Sequence, residues 1–459
     1  MNKLYAGFAR VNVTPMLGIG IVGYYKARIA EGVLDELEIN ALAVSCGDDK
    51  AVFLSLDNCF ITAKITEEYK KHVSEVTGLP KEAIYMHATH THTGPFLHRP
   101  KSGGLNFLDP NEKNSPEEEY GRFVCRKMAD AAQMALDDLK LAKMGWGIGQ
   151  APNVAFIRRF RMKDGSIRTN PGVNNPEILE PIGEVDERVN VLRFDREDAE
   201  TLVLVNFGNH PDTVGGNLLS GDWPTLLRHQ VEKSLDNVKC IFFNGAQGDI
   251  NHVNVRPTGG FLNDTFLDFD DVSRGYGHAK YIGRVVAGAV LQVYDKVKYV
   301  PVDSIRFRQR LIKVLSNMPK PEEMPEAYRI NELYTAGRTD ELPYTGMALT
   351  TVIAEAGRKI RLEHGPEFFE MNLIAVAIGN VALIGIPGEP FTGVGVALKE
   401  TEGWDVVFPT CLTNGSEGYF PMKEAYDDGG YEAGASIFRA GVAEQIIEEG
   451  KALLGELRD

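Results

Sequence analysis

Three histidines, His87, His90 and His92, fall within six residues of the stretch IYMHATHTHTGP (84–95), in a chain that has ten histidines in all. Imidazole is the commonest protein ligand for transition metals and the usual proton carrier near neutral pH. If 83–86 is a strand, its period of two puts His90 and His92 on one face and Thr89, Thr91 and Thr93 on the other. Such a pair shares one ion, or one ring binds metal while its neighbour handles protons. Gly94 and Pro95 end the extended segment, which leaves the histidines at a strand end, where loops build sites.

Three more apolar runs end in a polar group flanked by turn residues. The run 201–207 leads into Gly208-Asn209-His210-Pro211-Asp212, 381–386 into Pro387-Gly388-Glu389-Pro390, and 405–411 towards Asn414-Gly415-Ser416-Glu417-Gly418-Tyr419. Two imidazoles and a carboxylate, His90, His210 and Glu389, make a Zn²⁺ site with room for a water, and the Tyr419 phenol can take one further position. Zinc lowers the pKa of a water from about 15.7 to about 7 and polarises a carbonyl. His92 is placed to accept the proton or to support the ligands from behind, and Arg158 and Tyr431 to donate to the oxyanion of a tetrahedral intermediate.

The elements that position these groups follow from pattern. Strands are expected at 4–13, 42–46, 51–56, 189–194, 201–207, 238–243, 305–312, 373–377, 381–386 and 405–411, several of them apolar on both faces. Helices are expected at 67–76, from the capping box Ser115-Pro116-Glu117-Glu118 to about 139, at 222–235, at 277–297 and at 435–454. The fold class is therefore α/β, with layered mixed β-sheets flanked by helices. The acidic, aromatic stretch 260–274 reads as an insertion lying over something. The charged helical hairpin 321–364, within an insertion near 315–365, reads as a lid or an oligomer contact.

A hydrophobic content of 43% and a charged content of 25% describe an ordinary soluble protein, and 49 basic against 64 acidic residues give a net charge of −15 with a pI near 5.3. That balance disfavours nucleic acid and anionic membrane surfaces and favours a small-molecule substrate. Five scattered cysteines read as reduced and buried, and neither a signal-peptide core nor a run of about 18 apolar residues is present, so the expected compartment is the cytoplasm.

Together the motifs THTHTGP, NHP, GDWP, NGAQGDIN, IPGEPF and GYFP followed by GGYEAGAS resemble the catalytic domain of the neutral (non-lysosomal) ceramidase family, from the NVTP at Asn12 to Ser436. The resemblance implies a ceramidase-like catalytic domain over 1–459 and a zinc amidase whose metal ligands match His90, His210, Glu389 and Tyr419. It implies further roles for His92, for Tyr431 twelve residues beyond Tyr419, and for Arg158, where Ile157 replaces the family's asparagine. Where the family carries a functional serine this chain has Asn251, an amide that orients water or substrate but cannot attack. The family's secreted members add a signal peptide and a C-terminal immunoglobulin-like domain, and this chain shows neither. The expected function is a zinc-dependent hydrolase of an amide, ester or lactone in a small polar, carbohydrate-type substrate, with homo-oligomer formation open. The alternatives are a true ceramide or N-acyl-lipid amidase, an amidohydrolase-type (β/α)₈ barrel, and a non-catalytic protein holding a structural zinc.

Overall fold

The computed structural model describes residues 3–98 and 115–458 and arranges the expected strands as two sheets packed face to face. The first is built on β1 (Leu4–Asn12), which pairs antiparallel with β2 (Glu38–Cys46). β2 turns back into β3 (Asp49–Leu56), and β4 (Ile84–Ala88) lies parallel to β3. On the other side of β1 come β5 (Lys140–Gln150), β6 (Arg188–Arg196), β7 (Thr201–Phe207) and, parallel to β7, β8 (Val238–Asn244). The order is β8-β7-β6-β5-β1-β2-β3-β4, with Lys298–Val300 a ninth strand on β5. All nine residues of β2 are buried, because both of its faces are covered.

The second sheet has the order β9 (Ile305–Leu315), β10 (Phe368–Ile378), β11 (Val381–Gly385), β12 (Val406–Thr410), the last two parallel. Its β10 and β11 interleave Ile374, Val376 and Leu383 with Leu42, Phe53, Tyr85 and Phe243 of the first sheet to form the central core. Outside the first sheet lie α1 (Ala63–Thr77) and α2 (Pro116–Asp137) over one half and α3 (Asp222–Ser234) and α4 (Tyr276–Val293) over the other. Outside the second sheet lie α7 (Thr392–Lys399) and α8 (Val442–Arg458). The hairpin expected at 321–364 is α5 (Met324–Thr335) and α6 (Gly346–Leu362), packed on each other with a small core of their own. Helix α2 begins as its capping residues predict, the Ser115 hydroxyl accepting from the Glu118 amide. The closing helix starts seven residues later than expected. Tyr431–Ala435 is a separate short helix, and Gly441 at φ 101° turns the chain before α8. Among the described residues no helix is long and apolar enough to cross a membrane.

β1 and β5 share only two residue pairs, so the sheet bends there and its outer strands β4 and β8 approach each other. His87 bridges them. Its Nε2 accepts from the Asn244 amide at 3.0 Å and its Nδ1 faces Ser55 Oγ at 3.2 Å, while Ser55 donates to the Phe242 carbonyl. Burial lowers the His87 pKa to about 3, so it is a neutral structural histidine and not part of the chemistry of the run.

A second polar tie sets the height of the histidine loop. Arg228 on α3 is fully buried and donates twice to Asp57 (2.9 and 2.6 Å) and once to Glu38 (3.1 Å), and the Thr89 hydroxyl also reaches Asp57. Burial alone would raise the Glu38 carboxyl, but a hydrogen bond from His229 and the cations Arg228 and Arg10 pull it from the ordinary value of 4.5 down to about 2. Because the folded value is the lower one, this stabilisation is complete above pH 4.5 and is lost as pH falls through about 2. It amounts to roughly 3 kcal/mol at about 1.4 kcal/mol per unit. Urea titrations should show stability falling by that order between pH 4.5 and 2, and Glu38→Gln should flatten that part of the profile.

Candidate functional site

Every group proposed from strand ends sits at the C-terminal end of a strand with a parallel neighbour. His90 follows β4, His210 follows β7, and Glu389 and Tyr419 follow β11 and β12. Glu389 and Tyr419 are direct partners in a two-residue parallel ladder, so two residues thirty positions apart are side by side. The loop after β8 reaches the same place. A β-carbon on Gly248 would lie 2.5 Å from the Glu389 carbonyl oxygen, so only glycine lets that loop press against the carboxylate's backbone.

The strand ends at Ala88, and His90 itself is left-handed, with φ 78°. The separation expected from a period of two is therefore reached by a turn instead of a strand. Thr91 and Thr93 both donate to the Ser220 carbonyl (2.6 and 3.0 Å), while His90 and His92 face the opposite way. The His90 amide donates to the Asn58 carbonyl and the His92 amide to the Pro211 carbonyl, which fixes the turn.

Three Nε2 atoms converge. They are separated by 3.1 Å (His90 to His210), 3.2 Å (His92 to His210) and 3.4 Å (His90 to His92), and Glu389 Oε2 lies 3.2 Å from His90 Nε2 and 3.9 Å from His210 Nε2. Ligands about 2.05 Å from a tetrahedral ion are about 3.3 Å from one another, so this donor set has the spacing of a zinc site. The other ring nitrogens agree. His90 Nδ1 lies 2.7 Å from the Cys59 carbonyl, which suits a proton there and leaves the Nε2 lone pair for a cation, and His210 Nδ1 lies 3.4 Å from the Gln247 carbonyl and 3.5 Å from Arg158 Nη1. The Cys59 thiol stands on the Nδ1 side of His90, at 3.8 Å, away from the convergence.

Electrostatics point the same way. Burial, helped by the Arg158 cation, keeps His210 neutral, and burial lowers His92 to about 3 against the pull of Asp212. Burial disfavours charge on His90 too, but the Glu389 carboxylate outweighs it and holds a proton on the ring, at the position where a divalent cation would satisfy both. His92 Nδ1 is buried with no hydrogen-bond partner among the described residues, 3.7 Å from an Asp212 oxygen.

Around this centre, Arg158 is buried and held by Glu432, which has no solvent exposure (Nε to Oε1, 2.7 Å), and by the Gly248 carbonyl (2.7 Å). Its guanidinium lies 5.4 Å from the Tyr419 ring, and Tyr419 and Tyr431 pack edge-on at 5.5 Å. Burial raises the Tyr419 phenol well above its usual value, Glu389 adding to the rise and Arg158 opposing it. Asn251 differs in placement from the rest. Its Nδ2 donates to Asn170 Oδ1 (2.9 Å) and its Oδ1 accepts from the Val253 amide, so the amide is spent within the protein and Asn170 is the residue that lines the cavity.

The cavity has a volume of about 50 Å³ and is walled by His92, His210, Arg158, Tyr419 and Tyr431 on the centre's side. Tyr24, which packs on His92 at 5.4 Å, and Phe269, Asp270 and Arg274 also line it, so the stretch 260–274 borders the site. Met347 and Thr350 from the first turn of α6 close it. The hairpin is pinned there. Tyr334 donates to the Tyr25 carbonyl, Arg358 donates to the Gly434 and Asn317 carbonyls, and Gly346 abuts the Asp271 carboxylate. One water needs about 10–15 Å³, so the space takes a few waters or a short polar group.

Sequence reasoning missed Asp212, which takes two hydrogen bonds from Arg274 (3.0 and 2.7 Å) and one from the Tyr24 hydroxyl, and it missed Glu432 and Gln247. All three lie inside quoted motifs, but only their distant partners reveal what they do.

No protein-family model matches this chain, and no curated protein matches it. Its fold is that of neutral ceramidase. The neutral ceramidase from Pseudomonas aeruginosa superimposes with a TM-score of 0.72 at 15% identity, over 100% of this chain and 75% of that one. A ceramidase complexed with C2 does so at 0.70 and 15%, over 99% and 76%. At that identity the likeness establishes architecture, and the chemistry has to be argued from this chain's own residues.

Proposed function

We propose that this chain is a zinc-dependent hydrolase acting on an amide, ester or lactone of a small polar substrate. The observation that carries the reading is the convergence of His90 Nε2, His210 Nε2 and Glu389 Oε2 within 3.1–3.9 Å of one another, with His210 also lining the cavity. Those three would hold the ion, and the Tyr419 phenol, in backbone register with Glu389, would complete the set. Bound there, zinc polarises the scissile carbonyl and acidifies water. Each residue then has a task. His92 presents Nε2 to the same point and takes the water's proton, and the Asp212 carboxylate beside its Nδ1 favours the resulting imidazolium. Arg158, with two of its five N–H donors committed to Glu432 and the Gly248 carbonyl, has donors left for the oxyanion, and the Tyr431 hydroxyl assists. The carboxylates, Asn170 and the aromatic rings Tyr24 and Phe269 of the lining suit a hydroxylated, carbohydrate-type leaving group. A volume of about 50 Å³ argues against ceramide.

Turnover of short N-acyl sugars, lactones and ceramide analogues, with zinc and after chelation, tests the function. Zinc-dependent hydrolysis of the small compounds supports it, and preference for ceramide overturns the substrate class. His92→Ala is expected to keep stoichiometric zinc and to lose about 10²–10⁴-fold in kcat. Metal analysis beside the rate measurement checks this, since loss of zinc would make His92 a ligand.

A further inference from the structure

A second cavity, of about 70 Å³, lies on the opposite side of the loops that carry Glu389 and Tyr419, between α1 and the second sheet. Lys70 of α1 lines it and is only 2% exposed, yet it makes no hydrogen bond or ion pair among the described residues. Buried lysines are almost always paired, because an isolated ammonium in the interior costs several kcal/mol. One helical turn earlier on the same face, Thr66 is 2% exposed and its Oγ1 has no partner. Across the cavity, Asn414 is 8% exposed and its Nδ2 has no partner either.

The lining thus offers an ammonium, a hydroxyl and an amide N–H₂ with no acceptor assigned to them. Two of the carboxylates in the lining are otherwise engaged. Glu67 pairs with Lys81 (2.8 Å), Glu370 with Lys313 (3.9 Å), and burial raises Glu417. Burial lowers the Lys70 pKa to about 8, which leaves it cationic at neutral pH.

We infer that this cavity is a binding site for a small carboxylate of formate or acetate size, held by Lys70, Thr66 and Asn414. A single cation and two neutral donors match one negative charge. The inference does not depend on the hydrolase reading, but the location gives it a consequence. Asn414 exchanges hydrogen bonds with Met86 of β4 through its Oδ1 and its amide, and the Glu417 amide donates to the Pro387 carbonyl. The bound anion would brace the junction from which the loops bearing His90, Glu389 and Tyr419 all depart.

Thermal unfolding of the full chain, titrated with sodium acetate against chloride at constant ionic strength, tests the inference in zinc-loaded and chelator-treated protein. The expected result is a saturable rise in Tm in both forms, absent in Lys70→Met. Thr66→Val should keep or raise the Tm without acetate, since it removes an unsatisfied hydroxyl, and should weaken half-saturation about fivefold, the value of one hydrogen bond. No saturable rise, or an equal rise in both variants, overturns the site. A rise confined to the zinc-loaded form also overturns it, by assigning acetate to the metal.

Discussion

Glu389→Gln protein is expected to fold and to purify without its zinc. The substitution keeps the side chain's shape, so the backbone ladder with Tyr419 and the Gln247 contact at 3.3 Å can persist, while the carboxylate within 4 Å of two imidazole Nε2 atoms is gone. Losing an outer-shell partner costs about 10–100-fold in metal affinity, and losing an anionic ligand costs more than that. The same change removes the charge that holds a proton on His90, so both rings should become neutral in the metal-free variant. Metal analysis after gel filtration, with circular dichroism to confirm the fold, reads the result. Full zinc occupancy in the variant would remove Glu389 from the ligand set.

Arg158→Met is the second large effect, and it separates support from chemistry. Among the described residues Glu432, which has no solvent exposure, holds Arg158, the Thr169 hydroxyl at 2.9 Å and, at 3.8 Å, Arg159. Removing the arginine leaves a buried carboxylate short of its main partner, at a cost of about 3–5 kcal/mol. Losing an oxyanion donor should lower kcat a further ~10²–10³-fold. Adding Glu432→Gln to Arg158→Met removes the stranded charge, so chemical denaturation should show most of the stability restored while kcat stays low. Recovery of both together would mean that Arg158 only holds the loop in place.

The candidate ligand residues were legible because each follows an apolar run that ends in turn residues, a local pattern. His90, His210 and Glu389 were found that way and do converge. What the sequence could not show is long-range pairing: Arg158 meets Glu432 across 274 positions and Asp212 meets Arg274 across 62, with no local sign of either. The left-handed turn at His90 was also hidden, since a non-glycine residue with positive φ is set by its surroundings, here the Asn58 and Pro211 carbonyls. The hairpin 321–364 was visible as two helices, but its position over the site depends on Tyr334, Arg358 and Gly346 finding partners elsewhere in the chain. Asn251 stood out as a substitution within a motif, and its amide turns out to hold Asn170, a residue no motif contained.

Anomalous diffraction at the zinc edge from crystals of the metal-loaded protein asks the central question directly. One strong peak about 2.0–2.2 Å from His90 Nε2, His210 Nε2 and a Glu389 oxygen is the result expected of a zinc centre. Protein that takes up no zinc, or a peak away from those three side chains, would contradict the account.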